Sequence, residues 1–115
     1  MRRMLAGLAC LTALAGCPSA PAADEVTTCT AEQRAVNWEN FGVGFFAGYC
    51  RACHSAEADD RYGAPEGLDF DSLEQVQALK GSIHDTVLVD ETMPVGGGVD
   101  EESLTLLATF LDCGL

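Results

Sequence analysis

Five consecutive residues, Cys50-Arg51-Ala52-Cys53-His54, bring two thiols and one imidazole onto a short stretch of the chain. Thiols and imidazoles are the side chains that most often bind metals or act in redox chemistry. The C-x-x-C-H spacing is the attachment pattern of c-type haem, in which two thiols one helical turn apart bond both vinyl groups. The adjacent histidine then binds the iron. The motif therefore predicts one covalent haem c, with His54 as the proximal iron ligand.

Two other kinds of site could use the same cysteines. A thioredoxin-like pair lies at the N-terminus of a helix that follows a strand, whereas Cys50 and Cys53 end a predicted helix in a chain without convincing strand alternation. A zinc site would combine these two thiols with Cys29 and Cys113, or with His54. Free thiolates persist poorly in an exported protein, so zinc is also disfavoured. A metal-free disulfide module is a third alternative, and it requires that no haem be attached.

The N-terminus has the layout of an export signal. Two arginines precede an apolar run of about a dozen residues, which is too short to span a bilayer as a permanent helix. The run ends in Leu14-Ala15-Gly16-Cys17, which resembles the lipobox of bacterial lipoproteins. The resemblance implies a signal peptide over residues 1–16, a lipid anchor at Cys17, and a position on the periplasmic side of the inner or outer membrane. An ordinary signal peptide cut after the alanine at 20, 22 or 23 is the alternative.

The composition limits the possible partners. Residues 17–28 form a small, proline-bearing linker without periodicity, and residues 29–115 form one domain. Hydrophobic residues make up 48% of the chain, which excludes a disordered acidic tail. After signal cleavage four basic residues remain against eighteen acidic ones, a formal charge of −14. Because nucleic acids require Lys and Arg to neutralise their phosphates, they are excluded as partners. We expect a monomer whose protein partners present basic faces.

Hydrophobic periodicity predicts an all-α domain. Thr30 and Gln33 have capping-box spacing, and aromatic residues recur at helical intervals from Trp38 to Tyr49. Asp71 is expected to cap a second helix, which Gly81 bends or splits. Asp100 is expected to cap a third. The predicted buried faces of these last two helices are Leu73, Val76, Leu79, Ile83 and Val87, then Leu104, Leu107, Ala108 and Leu111.

Around the motif the sequence resembles the class I cytochromes c. That family has a glycine eight residues and an aromatic residue four residues before the first haem cysteine, and Gly42 and Phe46 occupy those positions. Leu107, Phe110 and Leu111 resemble the family's partner residues on the C-terminal helix. The resemblance implies a cytochrome c-like domain of three to four short helices around one haem, with the N- and C-terminal helices crossing.

The resemblance extends to the loops that follow the motif. Gly63–Leu68 resembles the family's proline-containing loop, which implies that the Pro65 carbonyl accepts a hydrogen bond from His54. Thr92-Met93-Pro94 resembles the family's ligand loop, and Met93 is the only methionine left after signal cleavage. Met93 is therefore expected to be the distal iron ligand. His84 is expected to face solvent or a haem propionate, and Lys80 is a weaker competitor for the iron.

Four further residues complete the expected site. Arg51 and Arg61 lie within and just after the motif, where they either contact haem propionates or face water. Cys29 and Cys113 bracket the domain, and a disulfide between them is the simplest expectation in an oxidising compartment. Such a bridge would stabilise the fold by roughly 4 kcal/mol. Two free thiols or an intermolecular bridge are the alternatives.

Together these expectations indicate an electron carrier and not an enzyme. Ligation by His54 and Met93 leaves no open position on the iron, which favours one-electron transfer over catalysis. The carrier would be tethered by its lipid and would exchange electrons with exported or membrane-bound proteins. The alternative is a haem-based module for binding or sensing a small ligand, in which Met93 dissociates and the ligand takes its place.

Overall fold

The computed structural model describes residues 28–115, and this part of the chain is helical without any strand. The predicted signal peptide, the linker and Cys17 lie outside the described residues, apart from Thr28. Among the described helices, none combines the length and the apolar character needed to cross a membrane. The five helices are α1 (Ala31–Ala35), α2 (Val43–Tyr49), α3 (Leu73–Ala78), α4 (Lys80–Ile83) and α5 (Glu101–Thr109). Three π-helical segments adjoin them: Trp38–Gly42 before α2, His84–Val89 after α4, and Phe110–Gly114 after α5.

Side-chain caps fix where the helices begin. Thr30 and Gln33 form the predicted capping box of α1, and Asp100 caps α5 by accepting from the Ser103 backbone N–H. The cap of α3 is Ser72, which forms a capping box with Gln75, so the expected cap at Asp71 was wrong by one residue. The Asp71 carboxylate instead accepts from Nε of Arg51 and from the Ala56 amide, which belong to the segment after α2.

The second predicted helix is divided at Leu79. Leu79 has φ −106° and ψ 9°, which lies outside the α-helical region and separates α3 from α4. Gly81 lies inside α4, so the division that the sequence predicts at this glycine occurs two residues earlier. The apolar stripe nevertheless faces inward, because Val76, Ile83 and Val87 are buried.

The core is formed largely by aromatic and leucine side chains of α2 and the C-terminal helix. Phe46, Leu107 and Phe110 are completely buried, and the Phe46 and Phe110 rings lie with their centroids 6.2 Å apart. Gly42 permits this packing, since a Cβ atom there would lie 3.1 Å from Cζ of Phe110. The predicted contact between Gly42 and the C-terminal helix is therefore present.

A disulfide joins the two ends of the described chain. The Sγ atoms of Cys29 and Cys113 lie 2.00 Å apart, and 84 residues separate the two cysteines in sequence. Cys29 is buried. The bridge holds the start of α1 against the end of the C-terminal helix and excludes the use of these two sulfurs as zinc ligands.

Candidate cofactor site

The C-x-x-C-H motif forms a single turn that continues directly from α2. The Cys50 amide donates to the Phe46 carbonyl at 3.0 Å, which ends the helix, and the His54 amide then donates to the Cys50 carbonyl at 2.9 Å. The turn places the two thiols and the imidazole on neighbouring positions. Cys50 and Cys53 are not joined in a disulfide, and burial raises the pKa of the Cys50 thiol to about 12. That thiol is therefore neutral at physiological pH.

These residues line a cavity of about 460 Å³, which lies within the range of small-molecule and cofactor sites. Met93 and Pro94 line the same cavity. The structure thus brings together the four residues that the sequence predicts as haem attachment points and iron ligands, although 40 residues separate Cys53 from Met93 in sequence. The remaining lining is mostly apolar and includes Phe45, Phe46, Leu68, Phe70, Leu79, Ile83 and Val87.

The imidazole of His54 is oriented by residues of the following loop. Its Nδ1 lies 2.9 Å from the backbone carbonyl oxygen of Leu68. The Phe70 ring lies 5.2 Å from the imidazole, centroid to centroid, and the Phe70 amide donates to the His54 carbonyl at 3.0 Å. When Nδ1 carries the proton for this bond, Nε2 is the nitrogen left to bind a metal.

The prediction that Pro65 supplies this carbonyl was wrong. The Pro65 carbonyl instead accepts from the Leu68 amide at 3.3 Å and from Nη2 of Arg61 at 2.6 Å. Gly67 has φ +79°, a left-handed conformation that turns the chain between these two residues. The turn closes on Pro65, and the carbonyl of Leu68 lies against His54.

The two arginines, for which the sequence leaves propionate contact and solvent exposure open, lie differently with respect to the cavity. Arg51 lies outside the cavity lining, and its Nε donates to Asp71 at 2.8 Å. A contact between Arg51 and a propionate in this cavity is therefore not supported, because the helical turn directs the side chain to the segment that precedes α3. Arg61 does line the cavity. Its Nη1 lies 2.6 Å from Oδ1 of Asp69, and its other contacts are with backbone carbonyls.

Asp71 connects the motif to α3. Besides Arg51, its carboxylate accepts from the Ala56 amide at 2.9 Å. The hydrogen bond from the Ala56 backbone, together with those from the Ser55 hydroxyl and Arg51, lowers the pKa of Asp71 from its ordinary value. Asp71 thus bonds a residue before His54, Arg51, and a residue after it, Ala56, and holds both against the segment that precedes α3.

Met93 lies in a loop that is fixed at its start. The Thr92 and Met93 amides both donate to the Thr86 carbonyl, at 2.9 and 3.1 Å. The peptide bond between Met93 and Pro94 is cis. Met93 lines the cavity and is 37% exposed, so part of the residue is accessible to solvent.

The competing ligands lie elsewhere. The His84 side chain is 50% exposed, and its Nδ1 lies 3.1 Å from the carboxylate of Asp85. Neither His84 nor Lys80 lines the cavity. Within residues 28–115, no three His, Cys, Asp or Glu side chains converge as a polar metal-ion site would require. Among the donors that line the cavity, His54 therefore supplies the imidazole nitrogen, and Met93 supplies a soft sulfur besides the two thiols.

The donor set and the lining are of the kind that a haem would need. Two thiols of the type that form thioether bonds line the cavity together with an oriented imidazole and a methionine, both of which are iron-binding residue types, and the surrounding side chains are mostly apolar. Sequence reasoning missed Leu68 and Phe70, because nothing in their residue type distinguishes a ligand-orienting loop residue from an ordinary buried one. The chain matches no protein-family profile, no curated protein sequence and no solved structure.

Proposed function

We propose that this chain is a membrane-tethered monohaem c-type cytochrome that carries single electrons between exported or membrane-bound proteins. The observation that carries the proposal is the convergence of Cys50, Cys53, His54 and Met93 on one apolar cavity. Each of the three residue types has a distinct use there. The two thiols would hold the group by thioether bonds, and the imidazole and the methionine sulfur would bind its iron.

A bound haem would supply one-electron redox chemistry, and the chain supplies ligation, burial and orientation. His54 and Met93 together would leave no axial position for oxygen or peroxide, which favours electron transfer over catalysis. The Leu68 carbonyl fixes the tautomer and direction of the imidazole. The mostly apolar lining would keep water away from the buried part of a bound haem and would thereby limit solvent reorganisation around a change of charge.

The proposed partners are redox proteins with basic faces. Tyr62 and Val95 both line the cavity, yet they are 77% and 85% exposed, so they form an apolar mouth where it meets solvent. The exposed acids Asp59, Asp60 and Glu91 lie close to them in sequence. An apolar patch within acidic surroundings suits a partner with a cationic contact face, and exchange with that partner slows as salt rises. The proposed lipid at Cys17 would keep this encounter at the membrane surface.

The decisive experiment is covalent attachment of haem. The full chain is co-expressed with a cytochrome c maturation system, and the purified protein is stained for haem peroxidase activity on a denaturing gel. We expect a stained band from the wild type and none from Cys50→Ser/Cys53→Ser. Cys29→Ser/Cys113→Ser is the matched control, because it also replaces two cysteines but leaves the motif intact, so its band should still stain. An unstained wild type would exclude the proposed function.

A second measurement tests the distal ligand. Met93→Ala should remove the weak far-red absorption band that marks methionine bound to ferric haem and should lower the reduction potential, because a thioether ligand raises it. His84→Ala should change neither. An unchanged spectrum and potential in Met93→Ala would show that another group is the sixth ligand.

The second candidate function is small-ligand sensing, and the partial exposure of Met93 is the observation that supports it. In that case Met93 would leave the iron and a small molecule would take its position. Rapid binding of carbon monoxide by the reduced wild type at neutral pH would support sensing, whereas a spectrum unaffected by carbon monoxide supports the electron carrier.

A further inference from the structure

The loop between the motif and α3 is organised around one guanidinium group. Nη1 of Arg61 donates to the Ser55 carbonyl at 2.6 Å, and Nε donates to the Ala64 carbonyl at 3.2 Å. Nη2 donates to the carbonyls of Pro65 and Leu68, at 2.6 and 3.4 Å. One side chain therefore binds four backbone carbonyls. Two of them adjoin His54 directly, one as the next residue in sequence and the other as its hydrogen-bond acceptor.

The charge of this guanidinium is held in place by Asp69. The carboxylate is 6% exposed, and its Oδ1 accepts no hydrogen bond of ordinary geometry within the described residues. Nη1 of Arg61, at 2.6 Å, is its charge partner. A buried carboxylate without a countercharge is costly, so Asp69 favours the single arrangement in which Arg61 points into the loop.

We propose that Arg61 is a positioning residue that controls His54 through the Ser55 and Leu68 carbonyls, and not a residue that binds a propionate. The inference rests on the proposed function, because its effect on the iron requires His54 to be an axial ligand. Arg61 holds Leu68 where its carbonyl accepts from Nδ1 of His54. That hydrogen bond makes the imidazole a stronger electron donor and stabilises the oxidised iron.

The two roles of Arg61 predict opposite changes in reduction potential. If Arg61 acts only by its positive charge near the iron, removing the charge stabilises the oxidised form and lowers the potential. If Arg61 acts by positioning, its removal weakens the His54–Leu68 hydrogen bond, makes the imidazole a poorer donor and raises the potential. The sign of the change therefore separates the two roles.

The key variant is Arg61→Gln/Asp69→Asn, which removes both charges and leaves the net charge of the pair unchanged. We expect its reduction potential to be higher than that of the wild type. We also expect faster hydrogen exchange at the Phe70 amide, which donates to the His54 carbonyl. The exchange rate should rise at least about tenfold, because the variant loses one charged hydrogen-bond donor. A potential that is unchanged or lower would overturn the proposal.

Two single variants provide controls. Arg61→Lys keeps the charge but lacks the planar fork that binds several carbonyls, so it should behave like the double variant; wild-type values in Arg61→Lys would overturn the proposal. Arg34→Gln removes an arginine that also donates to a backbone carbonyl, that of Cys29, outside the cavity, and it should leave Phe70 exchange unchanged. Equal acceleration in Arg34→Gln would also overturn the proposal. A wild type that carries no haem refutes the proposed function instead, and Phe70 exchange still tests the positioning role in that protein.

Discussion

Replacing Gly42 by alanine tests the close contact between the start of α2 and the C-terminal helix. A Cβ atom at this position would lie 2.6 Å from Cε3 of Trp38 and 3.1 Å from Cζ of Phe110. The Phe110 ring is fully buried, so it has no adjacent space into which to move. We expect Gly42→Ala to overpack the core.

Two opposing effects set the size of the change. Overpacking costs about 1–3 kcal/mol, while alanine is favoured over glycine in a helix by about 0.8–1 kcal/mol. The free energy of unfolding should therefore fall by about 0–2 kcal/mol in Gly42→Ala. Gly44, two residues further on in α2, provides a matched control, because a Cβ there would meet nothing within 4 Å. Gly44→Ala should raise the free energy of unfolding by about 0.5–1 kcal/mol.

Guanidinium denaturation followed by far-ultraviolet circular dichroism measures both variants. The expected difference between them is the overpacking cost alone, about 1–3 kcal/mol. In thermal unfolding, each kcal/mol corresponds to about 4–8 °C for a domain of this size. If Gly42→Ala and Gly44→Ala are equally stable, the Gly42–Phe110 contact does not limit packing and the reasoning fails.

Three further variants test the disulfide, the N-cap of α3 and the dependence of stability on pH. Cys29→Ser/Cys113→Ser should lower the free energy of unfolding by about 4–5 kcal/mol, because the disulfide closes a loop of 84 residues. Urea denaturation under non-reducing conditions measures the change. An unchanged urea midpoint would contradict the prediction. Ser72→Ala should lower the free energy of unfolding by about 1 kcal/mol, because it removes the N-cap of α3. Replacing the exposed Glu74 by alanine should lower it less, and equal losses in the two variants would contradict the cap assignment. The lowered pKa of Asp71 means that its carboxylate stabilises the fold fully above the ordinary carboxyl pKa, and that this contribution disappears as the pH falls through the lowered value. Asp71→Asn should therefore show a shallower loss of stability on acidification than the wild type, measured as the urea midpoint at a series of pH values, and parallel curves would contradict this.

The sequence predicts best where a signal is local. The capping residues Thr30 and Asp100 act on backbone groups within three positions, so residue type alone identifies them. The same holds for the C-x-x-C-H motif, because its residues lie within one turn of the chain and their spacing fixes how close they are. Met93 could be selected because proline and glycine around it exclude a helix, and the structure does place it at the cavity.

The failures occur where several distant groups compete for the same partner. Pro65 and Leu68 both offer a carbonyl, and the choice between them depends on the turn at Gly67 and on Arg61, which occupies the Pro65 oxygen. Asp71 has the residue type of a helix cap, but Arg51 and the Ala56 amide already use its oxygens. Such competition is decided by tertiary contacts and leaves no pattern in the local sequence.

The Cys29–Cys113 bridge makes the chain between these residues a closed covalent ring. His54 and Met93 lie in different parts of that ring, joined by two routes instead of one. A single proteolytic cut in the exposed loop before Gly67 would open the peptide chain without releasing either part, so both candidate ligands would remain at the high effective concentration of an intramolecular pair. The nicked protein would migrate as one species until a reductant cleaves the bridge. The disulfide thus keeps both parts of the site in one molecule even after the backbone between them is cut.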